Sequence, residues 1–219
     1  MKKLNFQIIT KDFNLDEEKK YLENLAGAAA ESCADVIQLR NKKISGRDIY
    51  HSALFLKKLL RGFNKTNKPA LVINDRPDIA YAAGADGVHL GQDDFPAGAA
   101  KNIFPGLILG VSVENASQAI LAENSGADYL GLGPVFRTKS KIDAGDLLKP
   151  EEIISVCNAV DIPVIAIGGI KASGIKKLAP SGIAGAAVIG AVSDSKNPAK
   201  TALLFRKNID AYLIKSRCA

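Results

Sequence analysis

The stretch that decides the fold is LVINDRPDIAYAAGADGVHLGQDDFP, from Leu71 to Pro96. It contains two short apolar runs, Ala70–Ile73 and Gly87–Gly91, and each run passes directly into polar residues. Between them, Pro77–Ala83 has apolar residues at helical spacing, a proline at its start and Gly84 just past its end, which is typical of a short helix. The stretch therefore predicts strand, helix, strand, with the strands parallel and joined by a right-handed crossover.

Acidic residues follow both predicted strands. Asn74 and Asp75 come after the first strand, and Asp94 comes after the second. Because parallel strands end at the same edge of a sheet, the two aspartates are expected to converge there. Such carboxylates suit Mg²⁺, which proteins hold through one or two acids together with water and substrate phosphates. The alternative, equally compatible with the spacing, is that these acids cap the helices that follow.

The rest of the chain repeats this alternation. The predicted strands are Leu4–Thr10, Val36–Arg40, Ala70–Ile73, Gly87–Gly91, Leu107–Val113, Tyr129–Phe136, Pro163–Gly168 and Ala186–Ala191. The predicted helices are Asp16–Ser32, Gly46–Phe63, Pro77–Ala83, Ala97–Ile103, Ala116–Asn124, a segment opened by Pro150, Ser173–Leu178 and Pro198–Lys215. Ser45, with Asp48 three residues later, is a capping signal for the second of these helices.

Eight near-continuous apolar strands that alternate with helices predict an α/β fold. The expected architecture is a single (β/α)8 TIM barrel, with a parallel eight-stranded sheet, as one domain over residues 1–219. An open doubly wound sheet is the alternative. It is disfavoured because Thr10–Phe13, after the first strand, lacks the glycines of a dinucleotide-binding loop.

Composition and charge indicate what kind of partner this protein binds. Twenty-nine Lys and Arg against twenty-three Asp and Glu give a formal net charge of +6. The lysines are scattered over helical segments, tryptophan is absent and aromatic residues make up only 6%, which argues against a nucleic-acid partner. The excess of cations instead suits small anionic substrates.

The cysteines, the histidines and the first apolar run bear on metal binding and on cellular location. Cys33, Cys157 and Cys218 form no CxxC pair, and the two histidines, His51 and His89, are too few for a histidine-rich transition-metal site. The first apolar run is too short for a signal peptide or a membrane span. We therefore expect a cytoplasmic protein with small-molecule substrates and no membrane partner, and a homo-oligomer is compatible with the sequence.

If the barrel closes, its strand ends meet at one mouth. The second to fifth strands would bring amides, cations, acids and a hydroxyl there, namely Gln38, Arg40, Lys42, Asn74, Asp75, Asp94 and Ser112. An arginine fork, a lysine charge and a divalent cation together match a diphosphate. Across the mouth, Ile167–Ile170 and Val188–Gly190 lie where this fold commonly binds a phosphate through backbone N–H groups. The polar loop Arg137–Lys149 between these two sites is a candidate lid, with an ordinary solvated loop as the alternative.

These residues fall in six motifs that resemble the thiamine phosphate synthase family. The motifs are Gln38–Lys42, Ile73–Arg76, Gly87–Asp94, Gly110–Ser112, Gly131–Phe136 with Thr138–Lys141, and Ala166–Ile170. The resemblance implies a Mg²⁺-dependent transferase. Its substrates would be hydroxymethylpyrimidine diphosphate and a thiazole phosphate, or the carboxylate form of the latter, and its products thiamine phosphate and pyrophosphate. By the same resemblance no covalent nucleophile is needed, since pyrophosphate leaves first and the thiazole nitrogen attacks the pyrimidine cation.

The resemblance also implies a role for each residue. Asp75 and Asp94 would hold Mg²⁺, and Ser112 would lie beside the reacting pyrimidine and its leaving group. The pyrimidine diphosphate would contact Gln38, Arg40, Lys42, Asn74 and Lys141, the thiazole phosphate would contact Thr138, Ser140, Gly169, Ile189 and Gly190, and the substrate-binding set would further include Asn41 and Lys139. Arg40, Ser112 and Lys141 would be the catalytic residues.

Four positions depart from the family pattern. Asn41 stands where an acid is usual, Arg137 where proline is common, and Ser140 where threonine is usual. Gly190 stands where a serine commonly contacts the thiazole phosphate, so one hydroxyl donor is lost. Two alternatives remain: a thiazole tautomerase of the same family, and a phosphate-ligand binder without turnover.

Overall fold

The computed structural model describes residues 4–64, 68–138 and 146–214. Within them, eight parallel strands form a closed barrel in which each strand neighbours the next along the chain. The strands are β1 Phe6–Ile9, β2 Val36–Leu39, β3 Ala70–Asn74, β4 Gly87–Leu90, β5 Ile108–Val113, β6 Tyr129–Leu132, β7 Val164–Ile167 and β8 Gly185–Val188. Because β1 pairs with both β2 and β8, the sheet has no open edge. The predicted (β/α)8 barrel is confirmed.

Helices follow the strands around the outside. They are α1 Glu18–Glu31, α2 Gly46–Arg61, α3 Pro77–Ala83, α4 Ala97–Ile103, α5 Ala116–Asn124, α6 Pro150–Asn158, α7 Ile175–Leu178, α8 Gly190–Ser193 and α9 Pro198–Ile209. The predicted cap of α2 is present, since Ser45 Oγ accepts a hydrogen bond from the Asp48 backbone N–H at 3.2 Å. In the described part of the chain, no helix has both the length and the apolarity that crossing a membrane would require.

Two predicted strands end earlier than expected. The β6 strand ends at Leu132 rather than Phe136, because Pro134 has no backbone N–H for the ladder and the chain leaves the sheet there. The β8 strand ends at Val188, and Gly190 begins α8 instead of continuing the strand. A short apolar run does not distinguish a strand from a buried helical turn, which is why the sequence placed this boundary wrongly.

The strands separate two apolar clusters. Alternate strand residues such as Phe6, Ile8 and Leu39 pack with helix residues such as Leu22 and Leu56 in a large cluster between sheet and helices. The intervening strand residues form a smaller cluster inside the barrel: Ile9, Val36, Ala70, Val72, Tyr129, Ile165, Ala187 and Ile189. This division follows from the two-residue period of a strand, which turns successive side chains to opposite faces. The large outer cluster supports the barrel, and the inward side chains are left to shape its mouth.

Candidate active site

A cavity of about 260 Å³ opens where the strands end. The predicted site residues that line it are Arg40, Lys42, Asn74, Asp75, Asp94, Ser112, Thr138, Gly169, Ile189 and Gly190. They come from loops and strand ends far apart along the chain, and the parallel barrel brings them to one face. This is the end of the fold at which barrel enzymes place their active sites.

The cationic wall of the cavity is fixed by residues that follow β1. The Thr10 hydroxyl donates to the Arg40 backbone oxygen at 2.5 Å and accepts from the Arg40 backbone N–H at 2.7 Å. Asp12 Oδ1 accepts from Arg40 Nη1 at 3.2 Å and from the Lys42 backbone N–H at 2.9 Å. Arg40 is buried, so these bonds hold its guanidinium in one place. Asp12 is not among the predicted site residues, because a single aspartate in a loop forms no recognisable pattern.

The acidic wall is formed by Asp75 and Asp94, whose carboxyl groups lie close enough for Asp94 to raise the pKa of Asp75. Asp75 has a backbone φ of 64°, in the left-handed region, and its backbone N–H donates to the His89 carbonyl oxygen at 2.8 Å. Asp94 Oδ2 accepts from the Gly91 backbone N–H at 2.7 Å. Non-glycine residues seldom adopt a left-handed conformation unless their surroundings hold them there, and such residues cluster at functional sites.

Keeping both Asp75 and Asp94 ionised is unfavourable unless a further cation is bound. Burial, followed by the hydrogen bond to Asp94 and the charge of Asp94, raises the pKa of Asp75 to about 6, although Lys42 and Arg40 act in the opposite direction. Lys42 Nζ lies 3.7 Å from Asp75 Oδ2. No cluster of three or more His, Cys, Asp or Glu side chains suited to a metal occurs within residues 4–64, 68–138 and 146–214. Two carboxylates that repel each other nevertheless fit Mg²⁺, which completes its coordination with water and phosphate oxygens.

The opposite wall is a glycine turn after β7. Gly168 and Gly169 have φ values of 100° and 61°. The Phe136 backbone N–H donates to the Gly168 carbonyl oxygen at 3.1 Å. A Cβ on Gly169 would collide with the Arg137 carbonyl oxygen and lie 2.8 Å from that of Phe136. Glycine is therefore required here by both conformation and space, and the turn exposes backbone where a ligand can approach closely.

Some cavity residues were not predicted as site residues: His89, Gln92, Asp93 and Glu114. Gln92 Nε2 donates to the Ser112 carbonyl oxygen at 2.6 Å, and His89 Nε2 lies 2.9 Å from Ser112 Oγ. Both contacts fix Ser112 at the end of β5. Position could have indicated His89, because it points inward two residues before the end of the apolar run Gly87–Gly91.

Two predicted residues lie behind the cavity wall. Gln38 is buried inside the barrel and hydrogen-bonds to Tyr129. Asn41 Nδ2 donates to the Phe13 carbonyl oxygen at 2.8 Å, and Asn41 Oδ1 accepts from the Lys43 backbone N–H at 3.0 Å. Neither is among the residues that line the cavity, and their contact with substrate stays a prediction.

The remaining predicted residues are Lys139, Ser140 and Lys141. They lie outside the described residues, together with much of the Arg137–Lys149 loop. Their roles, and that of the loop as a lid, stay predictions.

Comparisons with known proteins identify the family of this chain. The family model described as thiamine monophosphate synthase matches residues 7–192. The thiamine-phosphate synthase of Coprothermobacter proteolyticus is 44% identical over 189 residues, which cover 86% of this chain and 87% of the relative. That of Chlorobium limicola is 42% identical over 191 residues, or 85% and 89% of the two chains.

Solved structures give the same result. The thiamine phosphate pyrophosphorylase from Pyrococcus furiosus superposes with a TM-score of 0.82 at 35% identity, covering 97% of this chain and 98% of that one. A 3-hexulose-6-phosphate synthase superposes with a TM-score of 0.69 at 18% identity, covering 93% of this chain and 99% of that one. The second likeness extends to the fold alone.

Proposed function

The chain belongs to the thiamine monophosphate synthase family, and from this premise we propose how its barrel mouth makes thiamine phosphate. It is a transferase that condenses hydroxymethylpyrimidine diphosphate with thiazole phosphate, releasing pyrophosphate. The observation that carries the assignment is the convergence of Arg40, Lys42, Asp75 and Asp94 around one cavity. Cations and acids in this arrangement match a metal-bound diphosphate better than they match an uncharged ligand.

The cationic wall binds the diphosphate of the pyrimidine substrate. A guanidinium has five N–H donors in a planar fork, and Asp12 engages Nη1 of Arg40, so further donors are available to phosphate oxygens. Lys42 adds a compact charge beside Asp75, and Asn74 adds an amide at the end of β3. Lys139, Ser140 and Lys141, outside the described residues, enter the proposal through the resemblance alone, as do Gln38 and Asn41 behind the wall.

Asp75 and Asp94 would hold Mg²⁺. When bound, the ion would neutralise part of the charge on the leaving group. The two carboxylates fit this role because burial and mutual repulsion raise the pKa of Asp75 to about 6, a cost that a divalent cation would remove.

Residues at the mouth of the barrel then stabilise the charges that develop as pyrophosphate leaves the pyrimidine. The bond between the pyrimidine methylene carbon and the diphosphate oxygen breaks with its electron pair leaving on pyrophosphate, and the thiazole nitrogen forms the new carbon–nitrogen bond. Arg40 and Lys42 stabilise the departing anion, and they are held in place before the reaction begins. Ser112 lines the same cavity, and by the family resemblance it would lie beside the reacting pyrimidine and its leaving group. Positioning and charge therefore supply the catalysis, without a covalent intermediate on the protein.

The second substrate is bound by the loops after β7 and β8. Thr138, Gly169, Ile189 and Gly190 line this part of the cavity, and barrel enzymes commonly hold a phosphate at these two loops. Gly190 has no hydroxyl, so backbone N–H groups and Thr138 provide the donors.

Composition and charge support the rest of the proposal: small-molecule partners, a cytoplasmic location and no nucleic-acid partner.

The test is release of pyrophosphate by the purified protein. We expect release only when the pyrimidine diphosphate, the thiazole phosphate and Mg²⁺ are all present. Thiazole phosphate binding without turnover would contradict this and favour the binder, for which Gly190 is the one supporting feature. Isomerisation of a thiazole carboxylate phosphate would favour the tautomerase, which needs neither Asp75 nor Asp94.

A variant sharpens the test of the metal site. Asp94→Asn removes one oxygen charge from the proposed ligand pair and should lower turnover by about tenfold or more while raising the Mg²⁺ concentration needed for half-maximal rate. The exposed Asp16→Asn is the matched control and should change neither quantity. An unchanged Mg²⁺ requirement in Asp94→Asn would remove Asp94 from the ligand pair.

A further inference from the structure

A line of polar side chains runs through the apolar interior of the barrel and ends in the cavity. His89 Nε2 lies 2.9 Å from Ser112 Oγ, and His89 Nδ1 lies 3.0 Å from Tyr129 Oη. The Tyr129 phenol in turn hydrogen-bonds to Gln7 and Gln38. The exposed fractions are 8% for His89, 0% for Tyr129, 1% for Gln7 and 2% for Gln38, so solvent does not compete for these bonds.

Glycines on neighbouring strands make room for the two rings. A Cβ on Gly110 would collide with the Tyr129 ring and lie 2.5 Å from His89 Nδ1. A Cβ on Gly131 would lie 3.0 Å from His89 Cε1. Other inward positions are filled by Val72, Ile165 and similar residues, so an apolar filling was available to this barrel. Burying a phenol and an imidazole is costly unless each polar atom is bonded, and here both rings have hydrogen-bond partners.

The protons along this line can be placed in one consistent order. Burial raises the pKa of the Tyr129 phenol, so the phenol keeps its proton. Gln38 and Gln7 also hydrogen-bond to the phenol oxygen, and each amide has N–H groups that it can donate. In the arrangement in which both amides donate to this oxygen, Tyr129 gives its own proton to His89 Nδ1.

The consequence reaches the cavity through the imidazole ring. A neutral histidine whose Nδ1 accepts a hydrogen bond carries its proton on Nε2. His89 Nε2 then donates to Ser112 Oγ. Because Ser112 Oγ accepts this bond, the hydroxyl proton of Ser112 is directed elsewhere, and Ser112 lines the cavity.

We propose that Tyr129 and His89 are positioning residues that lock Ser112 as a hydrogen-bond donor into the cavity, aimed at an anionic oxygen of the departing diphosphate. The identity of the acceptor rests on the proposed function. The proton order does not, because it concerns only contacts within the barrel and can be measured without substrate. Without this line of bonds the Ser112 hydroxyl would be free to rotate, and its proton could turn toward His89.

Nitrogen NMR tests the proton order without substrates. The chain has only two histidines, so protein labelled with ¹⁵N-histidine gives two side chains, and the exposed His51→Gln variant assigns them. At neutral pH we expect His89 to be neutral, with a proton on Nε2 and none on Nδ1. A proton on Nδ1, in either the other tautomer or the cation, would overturn the proposal even if every variant below failed to fold.

Kinetics test whether the order matters for Ser112. Tyr129→Phe should lower kcat by about tenfold or more with little change in either KM, because the donor acts on the leaving group. In a Ser112→Ala background the same change should have almost no further effect. Equal losses of kcat in the wild-type and Ser112→Ala backgrounds would show that Tyr129 contributes only to packing. Tyr81→Phe, at a tyrosine that is 67% exposed, is the matched control.

A conservative pair tests His89 itself. His89→Gln places an amide N–H near the position of Nε2 and should retain more activity than His89→Asn, whose shorter amide cannot reach Ser112. Equal activity of the two variants would contradict the proposal. If the wild-type protein releases no pyrophosphate, the proposed function fails, while the NMR result still decides the proton order.

Discussion

Asp12 shows how one loop carboxylate can organise a binding wall. Its Oδ1 atom holds both the guanidinium of Arg40 and the backbone of Lys42. Asp12→Ala should therefore raise the KM for the pyrimidine diphosphate by about tenfold, since two cations lose their alignment. Steady-state kinetics would measure this. Asp12→Asn keeps an acceptor oxygen and should lose less, and equal kinetics for alanine and wild type would disprove the role.

Asp75 makes the stability of the metal-free protein depend on pH. Its pKa of about 6 in the fold exceeds its ordinary value of 3.8, so the folded state binds this proton more tightly than the unfolded state. That contribution is complete below pH 3.8 and is lost as the pH rises through 6. Asp75→Asn should therefore be more stable than wild type at pH 7.5, by about 1 to 3 kcal/mol, with the difference shrinking toward pH 4.5.

Denaturant unfolding with a chelator at these two pH values measures the effect. A difference between Asp75→Asn and wild type that does not change with pH would show that the Asp75 carboxyl is not under strain from its neighbours. Added Mg²⁺ should stabilise wild type at the higher pH and leave the variant nearly unchanged.

Site residues at strand ends could be predicted from the sequence, whereas residues that position other site residues could not. Arg40, Asp75 and Asp94 could be identified because a charged residue that follows a buried barrel strand lies at the mouth, where this fold binds its ligands. Asp12 and His89 act through hydrogen bonds to residues far along the chain. The inward position of His89 can be read from the sequence, but its partners and those of Asp12 cannot, because these contacts depend on how distant parts of the chain pack together.

At the scale of elements, the turn after β7 is the most constrained feature. In Gly169→Ala, the added methyl would meet the Arg137 carbonyl oxygen at a backbone φ of 61°. We expect the KM for thiazole phosphate to rise by about tenfold or more while the KM for the pyrimidine diphosphate stays the same, because only the wall after β7 moves. Gly174→Ala is the matched control, since its Cβ would lie an ordinary 3.5 Å from Phe136.

Kinetics with each substrate varied in turn would check this prediction. A parallel rise in both KM values would mean that the substitution distorts the whole mouth. An unaffected Gly169→Ala would mean that the turn can shift without cost.

Element boundaries were predictable where the sequence carries its own stop signals. The predicted helices Pro77–Ala83, Ala97–Ile103 and Ala116–Asn124 are confirmed to the residue, and the first has proline at its start and Gly84 at its end. The predicted end of β8 was wrong because apolar residues lie on both sides of the observed end: Val188 before it, and Ile189 and Ala191 after it. There the change from strand to helix is imposed by the barrel rather than by local residues.

At the scale of the whole molecule, a partly buried ion pair ties α9 to the barrel. Asp35 Oδ2, before β2, accepts from the Phe6 backbone N–H at 2.9 Å and from Arg206 Nη1 on α9 at 3.1 Å. The Arg206 and Asp35 side chains are only 14% and 12% exposed. Asp35→Ala would leave the partly buried guanidinium with only the more exposed Asp210, which lies 2.5 Å from Nη2, as its charge partner. It would also remove the acceptor of the Phe6 backbone N–H, and should lower the free energy of unfolding by about 1 to 3 kcal/mol.

Denaturant unfolding checks this prediction against a matched control. Asp194 pairs with Lys11 at the surface, where the side chains are 60% and 45% exposed, so Asp194→Ala should cost only about 0 to 1 kcal/mol. Similar losses in the two variants would show that α9 is not held to β1 through Asp35.

The separation of the strands into an outward and an inward set of side chains has a consequence for how such enzymes diversify. The large outer cluster supplies most of the packing, while the groups that line the cavity project from the other side of the same strands. A library randomised only at inward strand ends should therefore yield mostly well-folded proteins, whereas one randomised at outward positions should yield mostly aggregates. New chemistry can arise on this scaffold by exchanging a handful of mouth residues, with the architecture inherited intact.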